Sequence, residues 1–221
     1  VPCLYFHPDA YTTKGRKVMG RHVAGESFLK GYLEHGKCED LAIQVEADKH
    51  SKIFDQFLGE CGKNLSYKTY DRFSTCTDQF YKGVVFYPGP GLAEWSKFRS
   101  FSGDNLWSIC GVTHTISSHS SMDAIANLVS SPVQPWDALV CTSDAVKKSV
   151  KELLLGQIDY LRHRLKAKQF PLPQLPVIPL GTDTKKFAPP SLDEKQRVRE
   201  IFGIGHNEIV CLFVGRLSFH A

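Results

Sequence analysis

The chain has 221 residues, room for one large domain or for a domain and part of another, and enough to bury a core. Its 42% hydrophobic and 23% charged residues and net charge of +4 exclude a disordered or low-complexity chain, and no stretch approaches the ~18–20 apolar residues of a membrane span. Seven cysteines (Cys3, Cys38, Cys61, Cys76, Cys110, Cys141, Cys211) stand as singletons, an odd count that argues against a disulfide framework.

No C-x-x-C or Cys/His cluster offers zinc spacing, so no metal site and no cofactor is expected. A reducing, cytoplasmic location and no nucleic-acid partner are expected as well. The chain opens on a strand-like VPCLYF with no visible signal peptide, and the missing initiator Met points to a trimmed start.

In chain order, short apolar runs predict strands at Cys3 to Phe6, Leu41 to Val45, Val84 to Tyr87, Leu106 to Val112, Ala138 to Thr142 and Pro176 to Ile178, with a less bounded strand at Leu65 to Asp71. Each is followed by a helix-like stretch. That alternation predicts an α/β fold: a doubly wound, Rossmann-like parallel sheet with helices on both faces. In such a sheet the strand ends open onto one edge. Residues just past them, His7, Gly89 with Gly91, Thr113 with His114, Ser143 with Asp144, and Gly181, can therefore converge on one crevice.

The first strand-to-helix loop, HPDAYTTKGRKVMGRHVAGESFL, holds Gly15, Gly20 and Gly25 and leads into a helix start, where free backbone N–H groups favour an anion. Gly20 and Gly25 have P-loop spacing, but Glu26 and Ser27 follow where Lys and Ser/Thr are required, which rejects an ATP P-loop. No G-x-G-x-x-G occurs, so a nicotinamide cofactor loses its best support. Glu26 reads as a helix-dipole partner beside the stripe Gly25, Phe28, Leu29, Tyr32 and Leu33. Ser143 and Asp144 read as an N-cap and first turn. A lone histidine such as His114 is more often a hydrogen-bonded structural residue than a catalyst.

From Ala145 to Lys168 seven basic residues face only Glu152 and Asp159, on a helical apolar stripe of Val146, Val150, Leu153, Leu154, Leu161 and Leu165. The segment reads as a pair of helices interrupted or bent at Gly156, with a solvated basic side. The competing reading of that side is attraction to anionic lipid headgroups, as a peripheral membrane contact, or to an anionic acceptor.

The richest stretch is Leu175 to Ser218, LPVIPLGTDTKKFAPPSLDEKQRVREIFGIGHNEIVCLFVGRLS. A strand signature stops at Pro179 and Gly181, Pro189 and Pro190 break the chain, a helix follows over Leu192 to Phe202, and a strand over Ile209 to Val214 ends at Gly215 and Arg216. A guanidinium just past a buried parallel strand is suited to phosphate, since its fork donates paired hydrogen bonds.

IPLGTD, then Phe187, a helix and FVGRLS, in that order, resembles the interdomain crossing of glycosyltransferase family 4, enzymes of two Rossmann-like domains that move a sugar from a nucleotide-sugar onto an acceptor. The resemblance implies the first half of that two-domain architecture: residues 1–182 as the amino-terminal acceptor domain, 183–208 as linker and helix, and 209–221 as the first strand of a truncated donor domain. It implies that Arg216, with a Lys that would fall just past Ala221, grips the donor diphosphate, and that His114 with Thr115 faces the reacting sugar or acceptor. Gly20 and Arg21 stand where the family often places two adjacent glycines. Gly20, Arg21, Thr115 and Gly215 are thus the implied donor- and acceptor-binding residues.

The implied reaction is retaining transfer from a nucleotide-sugar donor to a carbohydrate or lipid-linked acceptor, without a metal, the departing phosphate helping to take the acceptor's proton. No protein carboxylate pair is then required, and a fragment ending at Ala221 is expected to be inactive alone. A nucleotide-sugar epimerase of the same fold and a non-catalytic membrane- or sugar-binding domain are the competing readings.

Overall fold

Leu41–Val45 is buried along its whole length, as a strand covered on both faces must be. It forms β2 of a six-stranded sheet with β1 (Cys3–Tyr5), β3 (Tyr67–Asp71), β4 (Val84–Tyr87), β5 (Ser108–Val112) and β6 (Ala138–Val140). The order is β3-β2-β1-β4-β5-β6, and every pair is parallel. This is the Rossmann-like, doubly wound α/β fold read from the sequence. The structure, a computed structural model, describes residues 2–14, 18–36, 41–71, 83–184 and 186–214.

Side-chain alternation divides the core between the two faces. Cys3, Tyr5, Ala42 and Val85 pack with α4 (Leu92–Ser100), α5 (His119–Ala126) and α6 (Asp144–Leu165). Leu4, Phe6, Leu41, Ile43 and Val45 pack with α1 (Pro8–Tyr11), α2 (Gly20–His35) and α3 (Asp48–Glu60). On α2 the buried positions His22, Gly25, Leu29 and Leu33 recur every three or four residues. Gly25 is required by space: a Cβ there would land on the Ala10 carbonyl of α1.

Behind β5 and β6 lies a fully buried ion pair. Arg99 Nη1 and Nη2 donate to Asp137 Oδ1 and Oδ2 at 2.6 and 2.8 Å. Arg99 Nη1 also donates to the Trp107 carbonyl, and Asp137 accepts from the backbone N–H groups of Ile109 and Gln134. One carboxylate thus ties the end of α4 to both the start of β5 and the loop before β6.

Three elements differ from expectation. The basic segment is one helix, α6, running through Gly156 without a break. An exposed glycine costs only about 1 kcal/mol, and the buried row Val150, Leu154 and Ile158 continues past it. The exposed residues of α6 include Lys148, Lys151, Arg162 and Arg164 beside Glu152 and Asp159, so the solvated side is mainly basic. No helix among the described residues is long and apolar enough to cross a membrane.

The expected strand Pro176 to Ile178 is reduced to two isolated parallel bridges, Ala138 with Gln174 and Cys141 with Val177. Prolines at 171, 173, 176 and 179 lack the N–H that a continuous ladder needs. The expected strand Ile209 to Val214 forms no ladder over its described residues, because a strand exists only by pairing and none of the described residues pairs with it.

The chain divides into two compact units, Val1–Gly181 and Thr182–Ala221. The second holds α7 (Leu192–Ile201), started by a capping box in which Ser191 Oγ accepts from Glu194 N–H at 3.2 Å while Glu194 Oε2 accepts from Ser191 N–H at 2.9 Å. Its apolar residues Ile209, Leu212, Phe213 and Val214 are exposed.

Candidate functional site

A parallel sheet whose chain order reverses at β1/β4 leaves a crevice between those strands at their carboxyl ends. A cleft of about 250 Å³ lies there, lined from β1 by Tyr5 and His7, from the end of β2 by Glu46, from the end of β4 by Tyr87 and Pro88, and from the end of β5 by His114. Helices α1 and α2 add Asp9, Ala10 and Arg21. Beneath the cleft, Tyr5, Tyr87 and Trp95 form an aromatic cluster with ring centroids 5.2–5.6 Å apart.

Arg21, in the first turn of α2, reaches Asp9 with Nη2 2.9 Å from Oδ2. Beside it His22 is buried and caps its own helix: Nδ1 accepts from Met19 N–H at 3.2 Å. That puts the proton of a neutral ring on Nε2, which then faces Asp9 Oδ1 at 4.0 Å and cannot accept from the nearby Arg21 Nε. Asp9 is therefore the carboxylate that orients the start of α2. A guanidinium has five donors, so its bond to Asp9 leaves Arg21 able to bind a ligand oxygen.

Across the cleft, burial and the positive charge of Arg21 hold the His114 imidazole below its usual range. Its Nδ1 is buried without a protein partner. The ring is thus a neutral donor and acceptor at physiological pH, unlike the hydrogen-bonded structural histidine that is the commoner case.

His7 accepts from Asp9 N–H at Nδ1, 3.2 Å, which caps α1. Its ring meets that of the buried His50 at 4.7 Å between centroids and 76°. Burial first, then the neighbouring His7 and Lys49, lower the His50 pKa. Tyr5 donates to Glu46 Oε1 at 2.6 Å, which anchors that carboxylate at the rim.

Of the residues singled out in the sequence, His7, Arg21 and His114 come together here. Gly20 begins α2 without lining the cleft, and Thr115 turns outward, exposed, with Oγ1 3.4 Å from Ser117 Oγ. Gly215 and Arg216 lie outside the described residues. Asp9, Glu46, Tyr5 and Tyr87 were not singled out. Glu46 directly follows β2, so the strand-end rule that marked His7 and His114 reaches it too.

Among the described residues no group of three or more His, Cys, Asp or Glu is arranged to hold a metal ion. The cleft can bind through Arg21, the carboxylates of Asp9 and Glu46, and the imidazoles of His7 and His114. No protein-family model, no curated protein and no solved structure matches the chain.

Proposed function

We propose that the chain supplies the acceptor-side domain of a retaining glycosyltransferase, which moves a sugar from a nucleotide-sugar to an acceptor hydroxyl. One observation carries this reading: Arg21 and His114, remote in sequence, line one cleft at the switch point of a doubly wound sheet, the place where such sheets bind ligands. The ordered motif running from IPLGTD to FVGRLS supports the same reading by resemblance.

In this proposal the acceptor enters the cleft and His114, neutral and unpartnered at Nδ1, hydrogen-bonds the reacting hydroxyl or sugar. Positive charge from Arg216, the role that the resemblance gives it, opposes the negative charge that grows on the departing diphosphate. The leaving phosphate takes the acceptor's proton, so no carboxylate has to act as base.

The test is sugar transfer by the complete gene product with nucleotide-sugar and acceptor pools. Arg216→Ala and His114→Ala are each expected to lower kcat/KM by about a hundredfold or more. Transfer unchanged in both variants removes the proposal, and an epimerised nucleotide-sugar formed without any acceptor replaces it with the epimerase.

A further inference from the structure

His7 and Glu46 follow the carboxyl ends of the neighbouring strands β1 and β2. β1 and β2 run parallel with Cys3 opposite Ala42, Leu4 opposite Ile43 and Tyr5 opposite Gln44, and the ladder continues through Phe6 N–H to the Gln44 carbonyl at 2.8 Å. Past the last paired residues, Tyr5 and Gln44, the two segments reach His7 and Glu46 two positions on from a common register. Both line the cleft.

Each of the two is held in place. The Asp9 N–H occupies His7 Nδ1, so the neutral ring carries its proton on Nε2, and the buried His50 ring braces it. The Tyr5 hydroxyl fixes Glu46 from below, and a carboxylate accepts at more than one site. The cleft thus presents a fixed N–H donor and a fixed carboxylate acceptor.

We propose that His7 and Glu46 form a subsite for a neutral polyol, in which one ring hydroxyl accepts from His7 Nε2–H and its neighbour donates to the Glu46 carboxylate. A hydroxyl is both donor and acceptor, so adjacent hydroxyls satisfy both residues at once. An anionic group fits poorly, because Asp9 and Glu46 bring two carboxylates to the cleft against the single guanidinium of Arg21. At about 250 Å³ the cleft is smaller than the ~300–1,000 Å³ that drug-sized ligands occupy, and so suits one ring. This inference rests on the cleft taken above as the acceptor site, and names the acceptor's chemistry there.

The experiment is NMR on the 221-residue chain with ¹⁵N-labelled histidine, titrated separately with myo-inositol, D-mannose and inorganic phosphate. The His7 signals are identified by their loss in His7→Ser, which keeps a capping acceptor. They are expected to report the Nε2–H tautomer and to shift with a polyol at a Kd on the order of 1 mM, while phosphate leaves them in place.

Glu46→Ala is expected to weaken polyol binding about tenfold, and Tyr5→Phe, which leaves both contacting side chains present, to weaken it less. Nδ1 protonation, no response to either polyol, an equal response to phosphate, or full binding by Glu46→Ala overturns the subsite. Polyol binding without sugar transfer by the complete gene product leaves the subsite standing and removes the transferase; transfer without polyol binding at His7 does the reverse.

Discussion

Arg21 and Asp9 join α2 to α1 through a guanidinium–carboxylate contact of 2.9 Å, and the same arginine depresses the pKa of His114 at the end of β5. The contact couples two helices on one face of the sheet to a histidine of another strand. Both partners are about half exposed, so its value lies in electrostatics within the cleft more than in stability.

Arg21→Met is accordingly expected to raise the His114 pKa toward 6.5 without reaching it, since burial, the larger cause, remains. Asp9→Asn is expected to lower it further by unmasking the Arg21 charge. Histidine NMR titration of both variants measures the two shifts, and shifts of the same sign contradict this electrostatic account. Each variant should change stability by less than about 1 kcal/mol.

Gly25→Ala is expected to push α1 away from α2, because the new methyl falls on the Ala10 carbonyl. Overpacking of this kind costs about 1–3 kcal/mol. Urea unfolding gives the loss, and weakened electrostatic coupling between Arg21 and His114 in the same variant shows that the displacement reaches the cleft.

Asp137→Ala leaves the Arg99 guanidinium fully buried with its carboxylate partner gone, and is expected to destabilise the fold by about 3–5 kcal/mol. The double variant Arg99→Met/Asp137→Leu removes both charges and should lose less than the single one. A double variant as unstable as Asp137→Ala would show that the lost backbone contacts to Ile109, Gln134 and Trp107, rather than the stranded charge, dominate.

Stability is expected to fall in mild acid. His50 and His114 have folded-state pKa values below the unfolded 6.5, so the unfolded chain binds protons more readily as pH drops through 6.5. Their contribution is fully present above that pH and is lost from there down to the folded pKa values. Chemical denaturation at several pH values reads the slope, which His50→Phe should flatten; an unchanged slope excludes His50 as a source.

The short continuous apolar runs and the helix stretches between them were enough to specify the doubly wound parallel sheet, since successive residues such as Leu4 and Tyr5, or Ala42 and Ile43, face opposite sides and are both buried only with helices on both faces. The strand-end rule located His7 and His114 for the same reason. Capping was equally local: Ser143, read as an N-cap, accepts from the backbone N–H of Val146 three residues on.

Tertiary structure alone decided what local signals do not encode. The unbroken course of α6 follows from packing across Gly156, and the single bridges at Gln174 and Val177 from prolines meeting a particular neighbour strand. Pairings such as Arg21 with Asp9, Tyr5 with Glu46, and His7 with His50 join residues as much as 43 positions apart. Residue type and spacing set which side chains leave each strand end, but strand order sets which ends are neighbours, and only neighbours share a cleft.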